Sequence, residues 1–299
     1  MPLFRFTFRA MAAEHELQLH ATDEGHARRA ADAAIADVLR IEAKYSRYRD
    51  DSVTTAINRA AGGAAIAIDA ETAALLRYAD RCHALSDGAF DITSGVLRRV
   101  WNFRAVPPRL PIPEAVEATR QLIGWPRVEW DERTVRLPDA GMEIDFGGIG
   151  KEYAADRAAT LLAEHGIAHA LVNLAGDVRA LGTQPGGAPW RIGIVHPRTP
   201  GAVIGEVDIV DGAIATSGDY QRFIVVDGKR YAHILDPRTG WPVSYWQSAS
   251  VVAPVCTLAG SLATIAMLRP DAPAFLDAQG LRYLLVDEKG RRVAPAGLA

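Results

Sequence analysis

Four short clusters of glycine and polar residues could carry chemistry, because each stands at the expected end of a helix or strand, where functional sites are commonly built. They lie at residues 87–95, 145–151, 173–177 and 215–240. The first cluster places two carboxylates, Asp87 and Asp91, beside the hydroxyls of Thr93 and Ser94. This composition is typical of a ligand site, but an ordinary turn uses the same residue types.

The second cluster, residues 145–151, lies between an expected strand and an expected helix. Its three glycines would let a ligand approach the backbone, and a helix N-terminus favours anions. The spacing matches neither a dinucleotide-binding fingerprint nor a Walker loop. A tight strand–helix turn is the alternative, and Lys151 favours a phosphate or carbonyl partner.

The remaining clusters contain a polar strand end at 173–177 and a histidine, His233, close to Asp236. The first of these is either a site or a hairpin corner. His233 stands among the apolar residues of an expected strand, so it is either a packed structural residue or a catalytic base. None of the other seven histidines shows the spacing of a metal-binding motif.

The elements that must position these clusters mix strands and helices, which predicts an α+β fold with two lobes and a cleft between them. Apolar periodicity predicts helices at 24–45, 70–85, 151–165 and 257–268, with Asp23 as an N-cap. Alternation and turn signals predict strands at 4–8, 16–20, 169–174, 190–195, 203–209, 223–226, 229–234, 248–253 and 281–286. The proline-rich stretch 106–113 is expected to be a surface excursion.

Composition restricts the function only broadly. The chain has 299 residues, of which 49% are hydrophobic and 23% charged, so most of it should be globular. A net charge of -3 argues against a dedicated nucleic-acid binder, and two cysteines are too few for a disulfide framework. No signal peptide or membrane-spanning stretch is recognisable, so we expect a cytoplasmic protein without a membrane anchor.

Eight short motifs follow one another along most of the chain, from about residue 8 to residue 268. They are Met11-Ala12, Ser46 to Ser52, Gly88 to Thr93, Asp145 to Tyr153, Asn173 to Asp177, Thr216 to Tyr220, His233 to Val243, and Ala259 to Thr264. In this order they resemble the motifs of the ApbE family of FAD:protein FMN transferases. The resemblance implies one domain over residues 1–299, or two lobes at about 1–125 and 126–299, with a T-fold-like architecture and a flavin cleft.

The resemblance also implies roles for individual residues. It places Met11 and Tyr48 against the flavin and makes His233 the candidate base. The other residues that it assigns to FAD are Ala89, Phe90, Asp91, Asp145, Lys151 and Ile234. For Mg²⁺ it implies the carbonyl of Gly148 and the hydroxyl of Thr264.

The family reaction moves FMN from FAD onto a Thr or Ser hydroxyl of a target flavoprotein and releases AMP. The resemblance therefore implies FAD, Mg²⁺ and an acceptor protein as partners. Two alternatives stay open: a relative that binds FAD without cleaving it, and a metal-dependent FAD pyrophosphatase that gives AMP and FMN.

Two departures from the family motifs concern the metal. Gly260 stands where the last motif has an aspartate, four residues before Thr264, and Glu152 stands where a glycine is expected after Lys151. One hypothesis is that Glu152 restores the lost carboxylate near the metal. The other is that Glu152 is a solvated acid in the first turn of its helix. A milder change is Ala175 in place of the first glycine of Gly-Gly-Asp.

Overall fold

The N-terminal hairpin follows directly from the alternation of apolar residues. In the computed structural model, which describes residues 1–295, the strands β1 (Leu3–Ala10) and β2 (Ala13–His20) pair antiparallel. Met11 and Ala12 form the turn between them, with φ values of 49° and 61°. A two-residue turn with positive φ matches the twist of paired strands, and it sets the register in which Phe6 lies opposite Leu17.

The remaining strands are mostly short and pair antiparallel. They are β3 (Ile66–Ala67), β4 (Glu129–Trp130), β5 (Thr134–Arg136), β6 (Ala170–Leu174), β7 (Asp177–Leu181), β8 (Trp190–Val195), β9 (Val203–Ile209), β10 (Gly212–Gly218), β11 (Phe223–Val226), β12 (Lys229–Ala232), β13 (Trp246–Ala253), β14 (Arg282–Asp287) and β15 (Arg292–Val293). The main sheet has the order β1-β2-β6-β7-β10-β13-β14-β15. Three small sheets join β3-β5-β4, β8-β9 and β11-β12.

The helices are α1 (Glu24–Tyr45), α2 (Val53–Arg59), α3 (Ala70–Leu85), α4 (Pro113–Arg120), α5 (Gly150–Glu164), α6 (Cys256–Met267) and α7 (Ala272–Ala278). Two 3₁₀ helices lie at Ile92–Arg99 and Trp125–Arg127. The four long helices start and end within one residue of the predicted positions. Asp23 caps α1 as predicted, because its side chain accepts a hydrogen bond of 2.8 Å from the amide of His26.

The main sheet is covered on both faces. Ala213 and Ala215 of β10 point into the large core that includes α1, α5 and α6, whereas Ile214 packs with Trp190 and Val207 of the β8-β9 ribbon. Successive residues of a strand face opposite sides of the sheet, so the helices and the ribbon form separate layers. The α+β prediction is confirmed.

Several short elements were not predicted. The cluster at 87–95, where an ordinary turn was one alternative, leads into the 3₁₀ helix at Ile92–Arg99, and α2, α4 and α7 were not anticipated. Strand β12 ends at Ala232, so His233 lies just beyond the strand in which it was expected. Helices of seven or eight residues show too few turns for apolar periodicity to reveal them.

The main sheet includes β1 and β2 as well as strands from the second half of the chain. The two expected lobes, 1–125 and 126–299, therefore share one sheet, and a division between them stays a prediction. Within residues 1–295, no helix is long and apolar enough to cross a membrane.

Candidate active site

The glycine turn before α5 is built around Asp145. Its carboxylate accepts a hydrogen bond of 2.9 Å from the amide of Gly147 and forms an ion pair with Arg47. Its amide donates to the carbonyl of Ile92 at 2.8 Å. A Cβ on Gly95 would lie only 2.6 Å from the Cβ of Asp145, so the 3₁₀ helix approaches this turn closely because residue 95 is glycine.

Arg47 connects this turn to Tyr48. Burial alone would lower the pKa of Arg47, but the carboxylate of Asp145, together with Tyr48 and Glu143, outweighs that effect and raises it. The guanidinium lies 5.1 Å from the centre of the Tyr48 ring, which is 77% exposed. A large aromatic ring held at the surface beside a fixed cation is suited to stacking on a planar ligand.

The segment before the 3₁₀ helix lies against the same turn. A Cβ on Gly148 would lie 3.4 Å from the ring of Phe90, so the two residues are neighbours. Asp91 is buried, and its carboxylate accepts hydrogen bonds from the amides of Thr93 and Trp125 at 2.7 and 3.0 Å. Both carboxylate oxygens are therefore engaged within the protein. Asp91 holds this segment in place beside the turn.

Lys151 forms an ion pair with Asp177 at the start of β7. Burial alone would lower the pKa of the lysine, but the carboxylates of Asp177 and Glu152 raise it. The ammonium group also donates to the carbonyl of Leu174 at 3.3 Å, and Asp177 accepts a hydrogen bond of 3.2 Å from the amide of Thr216. One ion pair, with a buried carboxylate and a partly exposed lysine, thus joins α5, the β6-β7 turn and β10.

Glu152 is buried on the next position of α5. Burial, together with the nearby Asp177, raises the pKa of Glu152 to about 8, although Lys151 opposes the shift. The alternative that Glu152 is a solvated acid is wrong, because the residue is only 8% exposed. Its side chain lies against Gly260 of α6.

Helix α6 is held by a capping interaction from α5. The carboxylate of Asp156 accepts hydrogen bonds from the amides of Cys256 and Thr257 at 2.7 and 2.8 Å. These amides have no partner within a helix, so the carboxylate replaces the missing side-chain N-cap. Further along α6, the hydroxyl of Thr264 lies 3.0 Å from that of Ser217 in β10.

His233 follows the β11-β12 hairpin. Its amide donates to the carbonyl of Arg222 at 3.0 Å, and its Nδ1 lies 3.2 Å from the same oxygen. Burial lowers the pKa of His233 below its ordinary value of 6.5. A neutral ring with Nδ1–H directed at the carbonyl keeps a lone pair on Nε2, which suits a general base.

Met11 and Ile234 join the site through other parts of the core. Met11 lies in the β1-β2 turn, where its amide donates to the carboxylate of Glu42 at 2.7 Å. Ile234 is buried, and its carbonyl accepts a hydrogen bond of 3.1 Å from the amide of Val243. Both residues pack in the large core that also contains Phe146 and Ile149 of the glycine turn.

The residues present fit a hard divalent cation. Such a cation prefers oxygen donors, and the packed helices α5 and α6 offer the carboxylate of Glu152 and, one turn beyond Gly260, the hydroxyl of Thr264. The Oε2 atom of Glu152 is buried and has no hydrogen-bond partner within residues 1–295. No group of three or more His, Cys, Asp or Glu side chains suited to a metal occurs in that range. The donor set must therefore include hydroxyl or carbonyl oxygens.

Sequence reasoning assigned no role to four residues that organise this site. They are Arg47, Asp156, Asp177 and Ser217. Arg47, Asp177 and Ser217 stand inside the recognised motifs, so their position was a usable signal. Asp156 lies four residues after Glu152, on the same face of α5, and only the packing of α5 on α6 shows what it does.

Comparison with known proteins assigns the family. The sequence profile of the ApbE family matches residues 11–285. The chain belongs to the ApbE family. It is 33% identical over 225 residues to the FAD:protein FMN transferase of Vibrio cholerae, an alignment that covers 74% of this chain and 67% of that protein. It is 35% identical over 242 residues to the FAD:protein FMN transferase of Treponema pallidum, covering 75% and 66%.

Solved ApbE structures show the same fold. The crystal structure of the ApbE protein from Thermotoga maritima superposes with a TM-score of 0.90 at 33% sequence identity, covering 99% of this chain and 97% of that one. The predictions of family and fold class are confirmed, as is the prediction that the chain belongs to a family of transferases. The individual roles of the site residues and the flavin cleft stay predictions.

Proposed function

We propose that the protein transfers FMN from FAD to a Thr or Ser hydroxyl of an acceptor flavoprotein and releases AMP, with Mg²⁺ as the cation. The observation that carries the proposal is that four ApbE motifs contact a fifth one at the start of α5. The four motifs supply Arg47, Phe90, Asp177 and Gly260, and these contact Asp145, Gly148, Lys151 and Glu152 in that order. Asp145 is held there by Arg47, and Lys151 is held by Asp177. The names of the relatives from Vibrio cholerae and Treponema pallidum support the same activity.

FAD would bind along these contacts. Tyr48 would stack on the isoalloxazine with Met11 nearby, and Ala89, Phe90 and Ile234 would supply apolar surface. The glycine turn would receive the diphosphate, since glycines permit close approach and the first amides of α5 have no side-chain cap. Asp145 and Lys151 would contact the dinucleotide, and Asp91 would keep Phe90 in position.

The acceptor hydroxyl would be activated by His233. The imidazole takes the hydroxyl proton at Nε2 while the oxygen attacks the FMN phosphorus and the bond to the AMP oxygen breaks. Partial burial lowers the pKa of the ring below its ordinary value, which favours the neutral form near pH 7. The carbonyl of Arg222 fixes the orientation of the ring.

A bound Mg²⁺ supplies charge neutralisation of the diphosphate and of the charge that develops during phosphoryl transfer. The carbonyl of Gly148 and the hydroxyl of Thr264 would hold it. Thr264 is fixed by Ser217, and Asp156 sets the start of the helix that carries Thr264.

The proposal also includes the domain organisation of the chain and the cellular location of its acceptor. We propose one domain, because the large hydrophobic core contains residues from Phe6 to Leu285. We propose a cytoplasmic acceptor, which is in keeping with the free thiols of Cys82 and Cys256. Cell fractionation followed by immunoblotting would test the location.

The test is to incubate the purified protein with FAD, Mg²⁺ and a candidate flavoprotein that carries an accessible Thr. Covalent flavin fluorescence on the acceptor in a denaturing gel, with equimolar AMP release, is expected. An acceptor with that Thr changed to Ala is the matched control and should stay unlabelled. Intact FAD would identify a binding protein without transferase activity. AMP and free FMN formed without acceptor would identify a pyrophosphatase.

A further inference from the structure

Glu152 carries a buried carboxylate oxygen that the protein leaves without a partner. The residue is 8% exposed, and its Oε2 atom makes no hydrogen bond within residues 1–295. Leaving a buried polar atom unsatisfied costs free energy, so a native structure commonly keeps such an atom for a ligand or an ion. The neighbouring cation, Lys151, donates to Asp177 and to the carbonyl of Leu174 and makes no hydrogen bond to Oε2 among the described residues.

The side chain of Glu152 fills the space that a side chain at position 260 would occupy. A Cβ on Gly260 would lie 3.0 Å from both the Cδ and Oε1 atoms of Glu152, and closer still to its Cγ. Real side-chain contacts do not become this short, so a residue larger than glycine at 260 would displace the glutamate. In the present arrangement, a carboxylate side chain can therefore be accommodated at position 152 or at position 260, but not at both.

The two helices cross this point in antiparallel register. Asp156 of α5 contacts Cys256 of α6, whereas Glu152, one turn earlier, contacts Gly260, one turn later. Thr264 lies one further turn along α6, on the same face as Gly260. The side chain of Glu152 thus contacts α6 one helical turn before Thr264.

We propose that Glu152 supplies from α5 the carboxylate ligand for the divalent cation, in exchange for a side chain at position 260 of α6. This inference rests on the proposed function, since it concerns the cation of the same site. The exchange would leave the number of carboxylate ligands unchanged while it moves the ligand from one helix to the other. It also accounts for Gly260, which makes room for the longer glutamate side chain.

Binding of Mn²⁺ to the full-length protein, followed by electron paramagnetic resonance of the free ion, tests this without any transfer reaction. Glu152→Gln keeps the volume of the side chain and removes its ability to become an anionic ligand. We expect it to weaken Mn²⁺ binding by at least about tenfold, as loss of a supporting group at a metal site already does. Thermal unfolding of the variant verifies that it folds.

The exchange variant gives the sharper result. Glu152→Gly alone should also lose Mn²⁺ affinity, and Gly260→Asp alone should lose stability because of the contact with Glu152. Glu152→Gly combined with Gly260→Asp should regain affinity relative to Glu152→Gly. If Glu152→Gln binds Mn²⁺ as tightly as the unchanged protein, or the unchanged protein binds none, the proposal is wrong.

The flavin-transfer assay separates this proposal from the proposed function. Normal Mn²⁺ binding that depends on Glu152, without transfer to any acceptor, would overturn the function and keep the ligand assignment. Transfer by the unchanged protein together with unaltered Mn²⁺ binding by Glu152→Gln would keep the proposed function and overturn the assignment of Glu152 as a ligand.

Discussion

Asp156 of α5 caps the N-terminus of α6, because its carboxylate accepts hydrogen bonds from the backbone amide and the hydroxyl of Thr257 at 2.8 and 2.6 Å. The same carboxylate binds the amide of Cys256. A helix start that lacks its own side-chain cap is thereby fixed by another helix. The position of Thr264, two turns further on, depends on this contact.

The Asp156→Ala variant should lose about 1–2 kcal/mol of unfolding free energy, the usual cost of removing a capping side chain. It should also weaken Mn²⁺ binding, since the helix that carries Thr264 is no longer fixed at its start. Urea unfolding and an Mn²⁺ titration measure the two effects. Asp23→Ala, which removes the cap of α1, is the matched control and should leave Mn²⁺ affinity unchanged. Equal effects of both variants on Mn²⁺ affinity would contradict this role.

Removal of the Lys151 ammonium group should lower the unfolding free energy even when no ligand is bound. Lys151→Met leaves the buried carboxylate of Asp177 without its ionic partner, which should cost up to about 3 kcal/mol because Lys151 itself is partly exposed. Adding Asp177→Asn should restore part of the unfolding free energy in urea, because the uncompensated charge is removed. A double variant with recovered stability and weak FAD binding supports contact of Lys151 with the dinucleotide. Normal FAD binding by that double variant refutes such contact.

Tyr48 should matter for the ligand and hardly for stability. Its ring is 77% exposed, so Tyr48→Ala should change the unfolding free energy by less than about 0.5 kcal/mol. Loss of stacking should raise the Kd for FAD by roughly threefold to tenfold, measured by flavin fluorescence. Tyr48→Phe keeps the ring and should bind FAD normally. An unchanged Kd in the alanine variant would show that the ring does not contact the flavin.

Sequence patterns located most of the fold because its large elements have strong periodicity. The helices α1 and α3 start and end at the predicted residues, and α5 and α6 do so within one residue. The Asp227-Gly228 turn joins β11 and β12, the two strands predicted on either side of it, and both of its residues adopt positive φ. The order of the strands in the main sheet was not predictable, because pairing between distant segments leaves no local signal.

The candidate site was predictable as a list of motif residues and not as a set of contacts. Arg47 stands inside a recognised motif, yet its ion pair with Asp145 joins residues 98 positions apart. The burial of Glu152 was not predicted either. Glutamate in the first turn of a helix is ordinarily solvated, and only the glycine at position 260 on the facing helix allows it to be buried.

Glu71 should make stability depend on pH in the acid range. Hydrogen bonds from Arg40, then from Lys44 and Tyr153, lower the pKa of this carboxyl well below its ordinary value near 4.5. Because the pKa is lower in the folded state, the stabilisation is fully present above the ordinary value and is lost as the pH falls through the folded value. Urea unfolding between pH 7 and pH 3 should show this decline. Glu71→Gln should reduce stability at pH 7 and flatten the dependence; a slope equal to that of the unchanged protein would exclude this role.

His233→Ala should abolish transfer while FAD binding is kept. Removal of a general base commonly lowers the rate by about 10²–10⁴-fold. The hydrogen bond of the side chain goes to the carbonyl of Arg222, just before β11, so its loss should leave the strands intact. Single-turnover labelling of the acceptor and an FAD titration measure the two quantities. His165→Ala, at the exposed end of α5, is the matched histidine control and should be fully active. Equal losses of FAD binding and transfer in His233→Ala would show that the residue is structural.

The pH dependence of transfer gives a second test of the same residue. A general base must be deprotonated, and burial lowers the pKa of His233 below 6.5. Transfer should therefore rise as the pH increases through a midpoint below 6.5 and then stay level toward neutral pH. The residual activity of His233→Ala should lack this rise, measured as labelling rate against pH with saturating FAD. A midpoint that persists unchanged in the variant would assign the proton acceptor to another group.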